Sequence, residues 1–321
     1  MKSLLSILSQ EEKKSIQKAP MPSFVHPMAA QLTKEYFSDK KWIFETKLDG
    51  IRCLLFKKGK KITLKSRNHI IQNEAYPTIV SIAASLDMPD CILDGEMVAF
   101  EGKVTSFSQL HKKGGDSVFY YIFDIIYCEG YNITNLPLIT RKKVLKECIP
   151  FTKNIVYVDY KEEKGLIYYA QACKKGLEGI IAKERNSTYV YKRSPKWLKF
   201  KCVNEQEFVI GGYTEPGGAR SGFGALMLGY YKDNKLHYAG KVGTGFDEEL
   251  LKKLYLALKK CETEKNSFIN YDDRLYDAHW VEPLLVCQVR FTEWTSSNKL
   301  RHPSFLGLRW DKDPHDVIQE K

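Results

Sequence analysis

The stretch that decides the fold is Glu45-Thr46-Lys47-Leu48-Asp49-Gly50-Ile51-Arg52. Read as a strand over 43–49, a period of two sets Glu45, Lys47 and Asp49 on one face and Thr46 and Leu48 on the other. Three charges then converge, and Gly50 supplies a turn. On its own, Lys-x-Asp-Gly is better read as an exposed edge strand with solvated charges, since four residues with one wildcard arise often by chance. Its meaning depends on what surrounds it.

Four further pieces follow in chain order. Asp94-Gly95-Glu96 interrupts the otherwise apolar run Cys91 to Phe100, where carboxylates are costly unless paired or given a ligand. Tyr120-Tyr121-Ile122-Phe123-Asp124-Ile125 offers Phe123 as a ring that a base can stack on. Glu178-Gly179-Ile180-Ile181-Ala182-Lys183 sets an acid at the mouth of a strand and a lysine further along it. In Trp197-Leu198-Lys199-Phe200-Lys201, alternation brings both lysines to one face. Two adjacent cations repel unless an anion lies between them, and phosphate suits that place. Each piece has a plainer reading as a turn, a core ring or a solvated face. The five together, in order within one basic region, are specific.

The bulk properties agree. A chain of 321 residues predicts two domains of ordinary size. Residues 1–202 hold 34 Lys and Arg against 21 Asp and Glu, whereas 203–321 hold 16 against 18. The basic excess therefore sits in the first part and suits a polyanionic partner. Eight cysteines without a Cys-x-x-Cys pair argue against a zinc module and a secreted disulfide framework, so all eight are expected reduced. The apolar start is cut off by Glu11 and Glu12, too short for a signal segment. No run has the length of a membrane span, which places the protein in the cytosol, away from membranes.

Residues 1–26 are expected as a helical appendage. Strands are predicted over 42–47, 51–57, 61–66, 91–99, 118–127, 179–183 and 197–200, with helices near 74–86, 140–147 and 162–175. Beyond Asn204 come Phe208 to Tyr213, a turn at Pro216-Gly217-Gly218, a hairpin over 225–242, a helix over 247–260 and a strand over 284–291. That pattern suits a small barrel of the OB type. The expected class is thus α+β: a domain of antiparallel sheets with flanking helices over 27–203, then an OB barrel over 204–321.

From about Pro27 to Pro314 the sequence resembles the ATP-dependent DNA ligases, among the covalent nucleotidyltransferases. Lys47 to Arg52 matches the family's first motif, and Ser66-Arg67-Asn68 the arginine motif after it. Asp94-Gly95-Glu96, Phe123-Asp124, Glu178-Gly179 and Lys199-Phe200-Lys201 match the next four. Leu300 to Phe305 and Arg309-Trp310-Asp311-Lys312 look like the last. Trp310 departs from the pattern, since many relatives carry an acid there. The likeness is greatest to the ligase modules of bacterial end-joining proteins, without their polymerase or nuclease modules and without an N-terminal DNA-clamping domain; a compact, stand-alone, monomeric enzyme is expected.

The resemblance implies that Lys47 takes AMP from ATP and passes it to the 5′-phosphate of nicked duplex DNA. A protonated lysine, with an ordinary pKa of about 10.4, is a poor nucleophile, and Arg52, Lys199 and Lys201 would favour the neutral amine. Asp49 belongs to the same catalytic group. The nucleotide would be held by Glu45 at the adenine edge, Phe123 by stacking and Glu96 at the ribose, with Arg67 and Lys183 in the same pocket. Glu178, with Glu96, would hold Mg2+, for which Mn2+ can substitute. Arg309, Asp311 and Lys312 would align pyrophosphate from a moving barrel domain. An end-binding protein such as Ku is a candidate recruiter. An RNA ligase would use the same lysine, and a non-catalytic nucleic-acid-binding protein on this fold is the alternative of another class.

Overall fold

The computed structural model describes residues 2–105, 109–110, 118–217, 222–271 and 278–320. It separates into two compact units, Met1–Cys202 and Val203–Lys321.

The first unit contributes strands β1 (Gln17–Lys18), β2 (Ala29–Leu32), β3 (Trp42–Thr46), β4 (Ile51–Lys58), β5 (Lys61–Ser66) and β6 (Cys91–Val98). A small hairpin, β7 (Phe100–Glu101) with β8 (Val104–Thr105), precedes β9 (Phe119–Cys128) and β10 (Tyr131–Asn132). After β11 (Ile155–Tyr157) and β12 (Tyr160–Glu162) come β13 (Gly179–Glu184) and β14 (Arg193–Lys201). Its helices are α1 (Leu4–Ile7), α2 (Gln10–Ser15), α3 (Pro77–Ser85), α4 (Leu138–Cys148) and α5 (Gly165–Lys174).

Two sheets stack in this unit. One runs β1-β10-β9-β6-β4-β5, with β11 added in parallel to β9; the other runs β12-β3-β13-β14-β2. Alternation sends each strand's residues to opposite faces, and the burial follows it. Leu54, Phe56, Ile92 and Phe123 of the first sheet meet Ile43 and Trp197 of the second in the layer between them. Cys53, Leu55, Leu93 and Ile122 face away and pack with Ile79 of α3 and Val144 and Leu145 of α4. On the far side of the second sheet, Phe44, Ile180, Ala182 and Phe200 take Ala172 of α5. Polar groups confined to the middle layer are therefore walled in by apolar packing on both sides.

The second unit has β15 (Asn204–Thr214), β16 (Leu226–Lys232), β17 (Lys235–Val242), helix α6 (Glu248–Lys260), β18 (Glu262–Thr263), β19 (Ala278–Phe291), β20 (Glu293–Trp294), β21 (Leu300–Arg301) and β22 (Ser304–Leu308). Its main sheet runs β17-β16-β15-β19-β18, with β22 on β19. Helix α6 places Leu251, Leu254 and Leu258 on one stripe, all buried in this unit's core. The Asp247 side chain caps its start by accepting from Leu250 N at 2.8 Å.

Three features differ from the sequence expectations. Strand β3 ends at Thr46, because the chain leaves one sheet there and enters the other at Ile51. Lys47 to Gly50 form the crossing, and Gly50 is packed so tightly that a Cβ would lie 2.1 Å from the Met97 carbonyl oxygen. The N-terminal segment forms two short helices and an edge strand rather than a helical appendage, and Leu4, Ile7 and Leu8 are buried in the first unit's core. Finally, Cys173 and Cys202 are disulfide-bonded, against the expectation of eight reduced thiols. They lie 29 residues apart, and only folding α5 onto the end of β14 brings them together. Gly218 of the expected turn lies outside the described residues. Among the described residues no helix is long and apolar enough to cross a membrane.

Candidate active site

The register of the second sheet builds the site. Glu45 of β3 lies opposite Ile181 of β13, which lies opposite Lys199 of β14. One step on, Lys47 N donates to Gly179 O at 3.0 Å, and Gly179 lies opposite Lys201. A bare glycine thus separates Lys47 from Lys201. Gly179 has φ +149°, and a Cβ there would meet the Phe200 carbonyl at 2.0 Å, so this gap cannot be filled by a side chain without moving the backbone.

Lys47, still partly accessible, donates to a carboxylate oxygen of Glu178, which precedes β13. A carboxylate oxygen of Asp49 lies within 4.8 Å of one on Glu178. The two acids stand beside the lysine at the exit of β3, and clustered carboxylates are the ligands a hard divalent cation takes.

Arg52 is placed differently from the expectation of an available cation. Its Nε and Nη2 bond the Asp94 carboxylate at 2.5 and 2.6 Å, and Nη2 also reaches Met28 O at 3.1 Å. Tyr189 donates its hydroxyl to the same Asp94 at 2.6 Å. Burial works against the Arg52 charge, yet the adjoining Asp94 carboxylate raises its pKa above the ordinary value. Asp94 is fully buried, so this pairing answers the cost that an acid inside an apolar strand poses. Glu96, opposite Arg52 on β6, is half-buried.

Phe123 has the Arg52 guanidinium 4.5 Å and the Lys183 ammonium 4.3 Å from its ring centroid. Lys183 also lies 4.1 Å from the Trp197 ring and donates to Glu45 Oε2 at 2.6 Å. Burial pulls the Lys183 pKa down to about 8, with Glu45 opposing and Lys142 adding to the fall. The other Glu45 oxygen accepts from Lys142 at 2.6 Å. Arg67 lies in the turn after β5, half-buried and without an ion-pair or hydrogen-bond partner among the described residues.

In the second unit Arg309 forms a buried two-pronged pair with Asp311, at 2.8 and 2.9 Å. Lys312 pairs with Glu207 at 3.0 Å, and Trp310 points outward, 60% exposed. Burial would raise the Asp311 pKa, but Arg309 overrides it and holds the carboxyl below its usual range.

Sequence reasoning missed Tyr189, Trp197 as a wall of the site, and Lys142. A signal existed for the last: with Leu138 and Leu145, Lys142 falls on the stripe that α4 turns inward, where a lysine needs a partner. Arg141 beside it is likewise buried, paired to Asp124 at 2.8 Å through both prongs.

Residues 27–201 match the model of the ATP dependent DNA ligase domain, and residues 219–312 that of the ATP dependent DNA ligase C terminal region. The multifunctional non-homologous end joining protein LigD of Mycolicibacterium smegmatis is 36% identical over 312 residues, which cover 95% of this chain and 41% of that protein. The SPbeta prophage-derived DNA ligase-like protein LigB of Bacillus subtilis is 32% identical over 299 residues, 89% of this chain and 99% of that one. A solved structure of mycobacterial DNA ligase D complexed with ATP and MES superposes with a TM-score of 0.68 and 32% identity, covering 92% of this chain and 98% of that one. The chain spans about two fifths of the length of its LigD relatives. With both models matched across its two units, the chain belongs to the ATP-dependent DNA ligases.

Proposed function

We propose that this chain seals nicks in duplex DNA through an AMP carried on Lys47. The observation that carries the reading is the row Lys47, Gly179, Lys201, with Glu178 against the Lys47 amine. A nucleophile and a cation flank one side-chain-free glycine on the same sheet, with an acid at hand.

Once the amine is released from Glu178 and has lost its proton, it attacks the α-phosphorus of ATP. The nitrogen–phosphorus bond forms, the bond to the bridging oxygen breaks, and pyrophosphate leaves. Lys199 and Lys201 neutralise charge on the α-phosphate as it builds. The 5′-phosphate of the nick then takes AMP from Lys47, returning the lysine, and the 3′-hydroxyl displaces AMP to close the phosphodiester. Phe123 stacks on the adenine, Glu45 reads its edge, and Glu96 and Arg67 serve the ribose side. Glu178, together with Asp49, would hold Mg2+, which would supply positive charge beside the phosphates. Among the second-unit residues, Arg309 needs its pair with Asp311 opened before it can meet pyrophosphate. LigD relatives are named for end joining, and we extend that setting, including recruitment by an end-binding protein such as Ku, to this chain as a cytoplasmic monomer.

The test is incubation with labelled ATP and Mg2+, mapping of the adduct, and a chase with 5′-phosphorylated nicked DNA or nicked RNA. AMP on Lys47 that nicked DNA discharges as the strand is sealed is the expected result. An adduct that only RNA discharges moves the activity to RNA ligation. A chain that binds DNA, and was not purified already adenylylated, yet forms no adduct overturns the enzymatic reading.

A further inference from the structure

Glu45 is 2% exposed, and neither of its oxygens faces water alone: one accepts from Lys142 and the other from Lys183. The two lysines are held in different ways. Lys183 lies over the Phe123 and Trp197 rings. Lys142 spends its three N–H donors on Glu45, on Val158 O at 2.8 Å and on Phe123 O at 3.4 Å. It is 1% exposed, with its ammonium 4.4 Å from the Tyr157 ring centroid. One buried lysine on α4 therefore ties Glu45 of the second sheet to the backbone of β9 in the first, beside the ring of Phe123.

Such a carboxylate has a defined use. A buried acid with no counter-charge takes up a proton and then both donates and accepts. Held as the anion, with one lone-pair site on each oxygen already taken, it can only accept, and in a fixed direction. An accept-only group within the strand that leads to Lys47 distinguishes a 6-amino purine, which donates, from a 6-oxo purine, whose oxygen it repels. Resting on the ligase reading above, we infer that Lys142 is a positioning residue for base selection, fixing the Glu45 carboxylate so that adenine is taken and 6-oxo purines are refused.

The experiment measures Lys47 nucleotidylation by ATP and by inosine triphosphate, which carries a 6-oxo group where adenine carries the amine. The wild-type chain is expected to favour ATP. Lys142→Met should lower the ATP to inosine triphosphate ratio of kcat/KM by about tenfold or more, the scale of a lost hydrogen bond to a charged group, and Glu45→Gln should do the same. Lys142→Gln, which keeps a donor toward Val158 O, is read in the same way if the Met variant does not fold. Equal losses with both nucleotides in a folded Lys142 variant mean a structural role only and overturn the proposal. So does a wild-type chain indifferent to the 6-substituent, a result that needs no variant. A wild-type chain that forms no adduct with either nucleotide removes the ligase reading itself, and this proposal with it.

Discussion

The amine of Lys47 is hydrogen-bonded to the carboxylate of Glu178, so that the residue leading β3 out of its sheet is tied to the residue leading β13 into it. The pair keeps the lysine in place and gives its positive charge a partner until a nucleotide arrives. Glu178→Gln keeps the shape and removes that charge together with one of the acids proposed to hold Mg2+. Lysyl-AMP formation should fall about a hundredfold at a fixed Mg2+ concentration and recover in part as Mg2+ is raised. Rapid-quench labelling with ATP measures both; an unchanged rate would remove Glu178 from the transfer.

Asp94 is fully buried between Arg52 and Tyr189. Tyr189→Phe takes one donor from a buried anion and should cost about 1–3 kcal/mol of stability. Asp94→Asn removes the counter-charge of Arg52 and should cost about 3 kcal/mol or more. Urea denaturation compares the three chains, and the order wild type, Tyr189→Phe, Asp94→Asn is the expected one.

The Lys183 pKa, brought to about 8 by burial, lies below the ordinary 10.5 of an unfolded lysine. Between these values the unfolded chain binds the extra proton, so stability should rise as pH increases from about 8 to 10.5, by at most about 3 kcal/mol. Lys183→Met should flatten that rise. Denaturation midpoints at pH 7.5, 9 and 10.5 for both chains decide it.

Asp311 behaves in the opposite sense. Its folded pKa is held below the ordinary 3.8 by Arg309 despite burial. Its contribution is therefore complete above that value and is lost as pH falls through the depressed one. Asp311→Asn should destabilise the second unit at neutral pH and lessen its acid sensitivity, as tryptophan fluorescence across an acid titration would show.

The Cys173–Cys202 bond closes a 29-residue separation between α5 and the end of β14. Reduction, or Cys173→Ser, should lower stability by about 3 kcal/mol. Non-reducing peptide mapping should find the two cysteines linked; peptides carrying only free thiols would show the pair to be reduced.

By itself the sequence determined the family, the order of the charged motifs and most strands. Alternation and turn residues are local properties, and β4, β5 and β6 lie within one or two residues of their expected limits. The tertiary structure alone decided which charges meet. Lys142 and Glu45 are 97 positions apart, Tyr189 and Asp94 95, and Lys47 and Glu178 131. Strand period says which face a carboxylate takes but not which cation another element delivers to it. Hence Arg52 and Arg309 could be singled out as candidates from the sequence, while their commitment to Asp94 and Asp311 could not. Period two also carried β3 past Thr46, because the pattern holds no record of where a chain changes sheets. That exit is set by the stacking of two sheets, whose shared layer admits a buried charge only where another element brings its partner.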